Sequence, residues 1–177
     1  MKLLLHTCCA PCLIYPLEKL REKGYKVTGL FYNPNIHSFG EYKNRKQAVE
    51  SFAIISGAEI VYPAYSPADF FRAVNLKEEK PERCFICWEL RLRKTAKFAK
   101  ENGFAYFSTT LLVSPYQDQD ALREIGARVA RDESIEFVYE DFRGGFRDAY
   151  DKAKQLGLYQ QKYCGCVYSE IERYKGK

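Results

Sequence analysis

Seven cysteines occur in three tight groups along the chain, and grouped thiols are typical of metal sites and redox sites. The groups are Cys8-Cys9 with Cys12, Cys84 with Cys87, and Cys164 with Cys166. After Met1-Lys2, only three leucines precede polar residues, which is too short an apolar run for a signal peptide. We therefore expect a cytoplasmic protein, and stable disulfides are rare in that reducing compartment. At least two of the groups are predicted to bind a metal or to do redox chemistry.

The first two groups offer four thiols from two separate segments, Cys8 and Cys9 with Cys84 and Cys87. Cys84 and Cys87 are predicted in the first turn of a helix, where the backbone N–H groups and the helix dipole lower the pKa of a thiol. Four thiolates fit a 4Fe–4S cluster or a structural zinc ion. The cluster is favoured because adjacent cysteines fit zinc sites less well and because the chain has a core of its own. A metal-free dithiol is the third alternative.

Cys164-Gly165-Cys166 is a different kind of motif. Its one-residue spacing is cramped for two ligands of one ion, whereas Gly165 permits the backbone conformations that a strained disulfide requires. Strained disulfides are easily reduced. We predict a redox-active pair that passes electrons, with two further metal ligands or idle thiols as the alternatives. Cys12 has no assigned role beyond a helical position that faces the same pocket.

Length and charge define the class of protein. The chain has 177 residues, 46% of them hydrophobic, which suits one domain over residues 1–177. Its formal net charge of +5 suits an anionic partner without requiring one. No apolar run approaches the roughly 20 residues of a membrane span, so no membrane partner is expected.

Alternating strand and helix patterns predict the fold. Strands are predicted at residues 2–6, 25–32, 58–62, 104–111 and 135–139. Helices are predicted from Pro11 to Gly24, at residues 40–56 and 69–74, after Pro81-Glu82, and at 118–132, with a last one at 146–156. This alternation favours a single α/β domain, doubly wound around a mostly parallel five-stranded sheet.

Ligands of such sheets bind beyond the carboxyl ends of the strands. The Cys8-Cys9 turn, the turn Asn33-Pro34-Asn35 and the segment from Ser114 to Asp118 are predicted to meet there.

Weaker candidates surround this edge. Aromatic and arginine side chains that could bind a nucleoside and its phosphates, if they do not simply pack at the core edge, are Tyr32, Tyr116, Arg143 and Arg147. His6 is interpreted as a hydrogen-bonded core residue rather than a ligand. The basic segment from Arg91 to Lys100 is interpreted as a solvated helix face, with an RNA-facing strip as the alternative.

Four motifs together resemble one known family over nearly the whole chain. They are His6-Thr7-Cys8-Cys9-Ala10-Pro11-Cys12, Glu82-Arg83-Cys84 with Cys87 and Arg91-Leu92, the run from Thr109 to Tyr116, and the run from Tyr163 to Ser169. In these motifs the chain resembles the cobalamin-independent epoxyqueuosine reductases, QueH. The resemblance implies a fold similar to the nucleotide α-hydrolase group (HUP-like).

The resemblance also implies the chemistry. It assigns a 4Fe–4S cluster to Cys8, Cys9, Cys84 and Cys87, and a redox-active disulfide to Cys164 and Cys166. The family is further expected to carry an additional iron or other metal ion next to the cluster, for which Asp118, predicted to be catalytic, and Cys12 are the candidates.

We therefore expect a reductase that removes the epoxide oxygen of epoxyqueuosine in tRNA, the last step of queuosine biosynthesis. The expected partners are tRNA carrying epoxyqueuosine and an external electron donor. A zinc-stabilised RNA-binding module without catalysis and a thiol-dependent tRNA sulfur-transfer enzyme are the alternatives.

Overall fold

Parallel strands and helices alternate along residues 1–175, the part of the chain that the computed structural model describes. The strands are β1 (Lys2–His6), β2 (Lys26–Leu30), β3 (Glu59–Val61), β4 (Tyr106–Thr109) and β5 (Glu136–Phe137). The α-helices are α1 (Ala10–Glu22), α2 (Phe39–Ser56), α3 (Pro67–Val74), α4 (Glu82–Glu101), α5 (Gln119–Glu133), α6 (Phe146–Gln155) and α7 (Val167–Tyr174). The predicted domain of residues 1–177 extends to Gly176 and Lys177, which lie outside the described residues.

The strands form one sheet in the order β3-β2-β1-β4-β5, and every neighbouring pair is parallel. This confirms the predicted five-stranded sheet. Leu3, Leu4 and Leu5 of the central strand β1 have no exposed surface, as expected for a strand covered on both faces. The chain winds outward from β1 to β3 and then returns to β4 on the other side of β1. The carboxyl ends of β1 and β4 therefore form the switch point at which such sheets bind ligands.

Helices cover both faces of the sheet. Helix α1 contacts α2 and α6, whereas α4 contacts α3 and α5. Because connections between parallel strands are right-handed, the helices on the way from β1 to β3 and those on the way from β3 to β5 lie on opposite faces. The doubly wound architecture is thus confirmed.

Local signals explain where the first helices begin and end. Pro11 lies in the first turn of α1. Backbone N–H groups in a first turn have no helical carbonyl to bind, so a residue without an N–H is tolerated there. Helix α2 ends at Ser56, as predicted, because Gly57 takes the left-handed conformation, with φ of 60°. These boundaries matter for the site, because the start of α1 carries Cys9 and Cys12.

One predicted strand end and the predicted last helix are wrong. The strand predicted at residues 104–111 ends at Thr109, and the chain continues as a 3₁₀ turn, Thr110–Val113. The helix predicted at 146–156 is not the last one, because α7 follows Cys166. Helix α7 has no Ser, Thr, Asp or Asn at its N-cap; the Sγ of Cys166 accepts from the Ser169 N–H instead, at 3.4 Å. A search for the usual capping residues therefore misses this helix.

Among residues 1–175, none of the helices has the length and apolar composition needed to cross a bilayer.

Candidate active site

The switch point joins the segments that follow β1 and β4. The Cys8 N–H donates to Thr110 Oγ1 at 3.0 Å, and that hydroxyl lies 3.2 Å from Cys8 Sγ. The turn after β2 is attached as well, since Asn33 Nδ2 donates to the Thr7 carbonyl at 2.9 Å. The predicted meeting of these turns at one edge of the sheet is confirmed.

Three thiols converge at this edge. The Sγ atoms of Cys8, Cys9 and Cys12 all lie within 4.8 Å of one another, and the Cys8 and Cys9 sulfurs are 3.7 Å apart. The start of α1 produces this cluster, because Cys9 is its N-cap and Cys12 lies in its first turn. Within the described part of the chain, no other group of three His, Cys, Asp or Glu side chains is as close. Soft thiolates in such a cluster suit iron–sulfur clusters, zinc and other thiophilic metals.

Hydrogen bonds link the three thiols. Those from Cys12 and Cys9 hold the pKa of Cys8 well below its ordinary value, with a further contribution from Thr110. Burial raises the pKa of Cys9, and hydrogen bonding to Cys8 raises that of Cys12. A bound metal would displace the protons of its thiol ligands.

Cys84 and Cys87 belong to a second group. Both lie near the start of α4, as predicted, and Cys87 packs with Cys166 in a small apolar cluster that includes Phe70. Burial raises the pKa of Cys84, and it raises the pKa of Cys87 to about 12. The predicted lowering of these two pKa values is wrong, because loss of hydration outweighs the helix dipole at this site.

The four thiols of the predicted set lie in two groups, and the set stays a prediction. Cys12, which had no assigned role, completes the cluster of Cys8 and Cys9. Cys84 and Cys87 lie near Cys164 and Cys166, whose charges act on the Cys87 thiol. All seven cysteines are free thiols.

Arg91 of α4 faces both groups. Its side chain is 2% exposed, and its charge interacts with Cys87, Cys164, Cys8 and Cys166, in that order. Burial lowers the pKa of Arg91, but these thiols more than compensate, so that its pKa is raised. Its Nε donates to the Cys87 carbonyl at 3.3 Å, whereas Nη2 has no hydrogen-bond partner among the described residues.

A buried guanidinium without a carboxylate is costly unless another anion compensates it. Of the thiols around Arg91, only Cys8 has a lowered pKa, whereas a metal–thiolate centre would carry further negative charge. The unpartnered Nη2 and the surrounding donor set therefore fit such a centre.

A pocket of about 720 Å³ opens beside these thiols, within the usual size range for small-molecule sites. Cys8, Cys12, Cys164 and Arg91 line it. Cys164 is the exposed thiol of the seven. The pocket therefore reaches both the cluster of Cys8, Cys9 and Cys12 and the segment that carries Cys164. Tyr116, Phe146 and Tyr150 add aromatic surface.

Gln161 is a site residue that sequence reasoning missed. Its Nε2 donates to Cys9 Sγ at 2.9 Å and to Tyr150 Oη at 3.0 Å, and it lies 3.8 Å from Cys12 Sγ. Its Oε1 is buried without a partner among residues 1–175. No motif marks it, because only the folded chain brings the segment after α6 to the cysteines.

Buried side chains fix the backbone of the Cys164-Gly165-Cys166 segment. Arg45 of α2 donates to the carbonyls of Cys164 and Tyr163, at 2.9 and 3.0 Å, while Glu41 binds its Nε at 2.7 Å. The His37 N–H donates to the Gly165 carbonyl at 2.8 Å. These contacts hold the segment against α2 and the turn that follows β2.

Two single-residue expectations have different outcomes. His6 is buried as predicted, with Nδ1 2.9 Å from Thr109 Oγ1 and Nε2 3.2 Å from the Tyr32 carbonyl. Asp118 is exposed, is not part of the pocket lining, and caps α5 by accepting from the Ala121 N–H at 3.0 Å. The predicted catalytic or metal-binding role of Asp118 has no support in this geometry.

The aromatic and arginine candidates also separate. Tyr116 and Arg147 line the pocket. Tyr32 is buried and donates to Asp69 at 3.0 Å, and Arg143 is held by Asp141 at 2.6 Å. Neither of these two residues lines the pocket.

The predicted basic face of α4 is only partly neutralised. Arg91 is buried, and Arg93 pairs with Glu89 and Asp132, at 2.8 Å each, and with Glu133 at 3.1 Å. Lys94 and Lys100 are exposed, so both interpretations of this segment stay open.

Comparison with known proteins gives a consistent result. A family model described as "Epoxyqueuosine reductase QueH" matches residues 3–172. A relative of that name from Dehalococcoides mccartyi is 41% identical, over 98% of this chain and 94% of its own length. Another of that name from Thermotoga maritima is 35% identical, over 96% of this chain and 91% of its own.

A solved structure has a similar fold. It is described as a predicted subunit of tRNA methyltransferase from Methanocaldococcus jannaschii, and it aligns with a TM-score of 0.58 at 10% identity. The alignment covers 87% of this chain and 76% of that one. At this identity the likeness concerns the fold alone.

Proposed function

Because the chain belongs to the epoxyqueuosine reductase QueH family, we propose that it reduces the epoxide of epoxyqueuosine in tRNA to the alkene of queuosine. Family membership makes the protein an oxidoreductase. The observation that carries the proposal is the pocket at the switch point, where Cys8, Cys12, Cys164 and Arg91 line one cavity. A reductive site needs a source of electrons beside a substrate-sized cavity, and this pocket has thiols on its wall.

The reaction removes one oxygen atom with two electrons and two protons. In balanced form, the epoxide and two thiols give the alkene, one water and a disulfide. We assign the thiols to Cys164 and Cys166: both S–H bonds break, the S–S bond forms, and the oxygen leaves as water. An external electron donor then reduces the disulfide to the dithiol.

The surroundings of the Cys164 thiol support this role. Cys164 is exposed toward the pocket, and burial of the thiol group among protein atoms raises its pKa. At neutral pH the thiol therefore keeps the proton that the leaving oxygen needs. Cys166 follows the glycine directly and is buried, and it packs with Cys87.

We also propose that Cys8, Cys9, Cys84 and Cys87 hold a 4Fe–4S cluster and that a further metal ion lies beside Cys12. Support comes from Arg91, which interacts with Cys8 and Cys87 and retains an unpartnered buried N–H group. When bound, the cluster would relay electrons from the dithiol, and the further metal ion would accept the negative charge that develops on the epoxide oxygen. Cys12 replaces Asp118 as the candidate for the further metal, because Cys12 is in the thiol cluster.

Anaerobic purification followed by iron, zinc and sulfide analysis tests the cofactor and separates the alternatives. We expect stoichiometric iron and sulfide, and conversion of epoxyqueuosine to queuosine in tRNA, scored by nucleoside chromatography. Stoichiometric zinc without turnover would favour the RNA-binding module. Incorporation of sulfur into tRNA would favour the sulfur-transfer enzyme.

Single Cys→Ser variants test the ligand set. We expect Cys8→Ser, Cys9→Ser, Cys84→Ser and Cys87→Ser each to lose most of the iron, and turnover to fall by at least about a hundredfold, since a missing ligand is costlier than a missing outer-shell contact. Cys12→Ser is the matched comparison and should retain the sulfide. Full iron and sulfide in Cys84→Ser, with their loss in Cys12→Ser, would transfer the ligand role to the cluster of Cys8, Cys9 and Cys12.

A further inference from the structure

The outer rim of the pocket carries three cations without carboxylate partners. Arg147, Lys162 and Arg173 are exposed and line the cavity, and within residues 1–175 none of them forms an ion pair. Asp151 is the carboxylate on the pocket lining, and it pairs with none of these cations. The rim is therefore a concentration of uncompensated positive charge.

Three arginines of α4 and α5, namely Arg93, Arg123 and Arg128, provide a contrast. Arg93 pairs with Glu89 at 2.8 Å, and Arg128 pairs with the same carboxylate at 2.6 Å. Arg123 lies 3.0 Å from Asp120. Neutralised arginines have little charge to offer an anionic partner, whereas the rim cations are free to bind one.

The rim cations come from separate elements that enclose one opening. Arg147 lies on α6, Arg173 lies on α7, and Lys162 lies on the segment between them. Three separately supported cations around one mouth suit a ligand with several anionic groups along its length. The phosphates of a nucleic acid strand have this arrangement.

An exposed aromatic ring lies on the same rim. Tyr116 is 83% exposed and makes an edge contact with Phe146, with ring centroids 5.9 Å apart. Apart from this contact, most of the tyrosine ring is exposed to water. Beside free cations, it is suited to stacking on an unpaired base.

We propose that Arg147, Lys162 and Arg173 bind the phosphates of the single-stranded RNA segment that carries the substrate nucleoside, and that Tyr116 stacks on a neighbouring base. The inference rests on the proposed function. A base must leave its stack to enter the pocket, so the phosphates on either side of it lie at the mouth. The rim thus positions the RNA, while the thiols that line the pocket act on the base.

Salt-dependent binding tests the rim. Fluorescently labelled tRNA, with and without epoxyqueuosine, is titrated with anaerobic wild-type protein and with the variants Arg147→Gln, Lys162→Gln and Arg173→Gln. Each lost contact should reduce the slope of log affinity against log salt by about 0.7 to 1. At about 0.1 M salt this corresponds to an affinity about fivefold weaker per variant.

Two matched controls carry the same chemical change at the far end of the sheet. Arg131→Gln and Lys100→Gln each remove an exposed cation from the last turn of a helix, α5 or α4. Neither residue lines the pocket. Affinity and slope should equal those of the wild-type protein, which separates a local contact from the effect of net charge.

Unchanged slopes in the three rim variants, with normal thermal unfolding, would overturn the proposal. Equal losses in the rim variants and the controls would overturn it too, because binding would then follow net charge alone. RNA binding can be measured without turnover. A failure of the rim proposal can therefore be told apart from a failure of the proposed reductase activity. Salt-dependent rim binding without queuosine formation refutes the reductase alone, and queuosine formation with rim-independent binding refutes the rim alone.

Discussion

At the scale of single residues, Arg91 determines the electrostatics of the site. It is a fully buried cation that faces thiols of both cysteine groups and pairs with no carboxylate among the described residues. Arginine suits this position better than lysine, because its planar group keeps its charge when buried and presents donors in several directions. In the sequence it lies within a basic run, and nothing in the pattern separates it from its exposed neighbours.

Replacing Arg91 with methionine should raise the pKa of the Cys164 thiol. Arg91 lowers that pKa, and burial, the larger effect, raises it. Loss of a nearby opposite charge raises a thiol pKa by about 1 unit or more, so alkylation of Cys164 near neutral pH should slow by about tenfold. Mass spectrometry of the alkylated peptide across a pH series measures the change.

Arg91→Lys is the control for this experiment, because it keeps the charge and should remain closer to wild type. An alkylation profile in Arg91→Met identical to that of wild type would contradict the electrostatic role.

At the scale of elements, short anchored segments position the thiols, of which Cys8, Cys12 and Cys164 line the pocket. The start of α1 presents Cys9 and Cys12, and the start of α4 presents Cys84 and Cys87. The segment before α7 has no regular structure and depends on contacts from Arg45. Its conformation also needs a glycine, since Gly165 has φ of 135°.

Gly165→Ala should damage this segment specifically. An added Cβ would lie 3.1 Å from Ile36 Cγ1 and 3.2 Å from both Arg45 Nη1 and Asn35 Nδ2, in a backbone region that costs about 1–3 kcal/mol for other residues. We expect turnover to fall severalfold while the iron content is preserved. Gly103→Ala is the matched control: its φ is also positive, at 70°, but no atom lies within 4 Å of the added Cβ.

Comparison of the two alanine variants separates backbone strain from the contacts of the segment. Both should lower the midpoint of thermal unfolding, but only Gly165→Ala should affect turnover. Equal activity in the two variants would mean that the exact conformation of the segment is unimportant.

At the scale of the whole molecule, the sequence predicted the sheet well because strand and helix patterns are local. The site was harder to predict, since its geometry depends on contacts between distant segments. The contact of Gln161 with Cys9 and the pairing of Arg93 with Asp132 follow from tertiary packing, whereas the approach of Cys12 to Cys9 is local to the first turn of α1. Helix α7 was missed because a thiol provides its cap.

The buried histidine His6 should make the free energy of unfolding depend on pH. Burial, with the charge of Arg91 as a smaller cause, lowers the pKa of His6 in β1 to about 3. The unfolded chain therefore binds a proton at this residue between about pH 6.5 and pH 3 that the folded chain does not bind. Stability should fall as the pH falls through this range, by about 2 kcal/mol between pH 7 and pH 5.

Urea unfolding of wild type and His6→Gln over this pH range measures the effect. Most of the pH dependence should disappear in the variant. The other histidine, His37, also has a pKa lowered by burial, so His37→Gln corrects for its share. Equal pH dependence in His6→Gln and wild type would contradict the assignment.

The order of the strands has a consequence for how the protein matures on the ribosome. Strand β1 pairs with β2 early in synthesis, but its other edge pairs with β4, Tyr106–Thr109, which emerges about a hundred residues later. Until then the newly made cysteines behind β1 lie beside an unpaired strand edge, without Thr110 and without a folded partner for Arg91. Assembly of the proposed metal site must therefore follow translation of α4 and β4, and the nascent chain before that point exposes both reactive thiols and an edge open to aggregation.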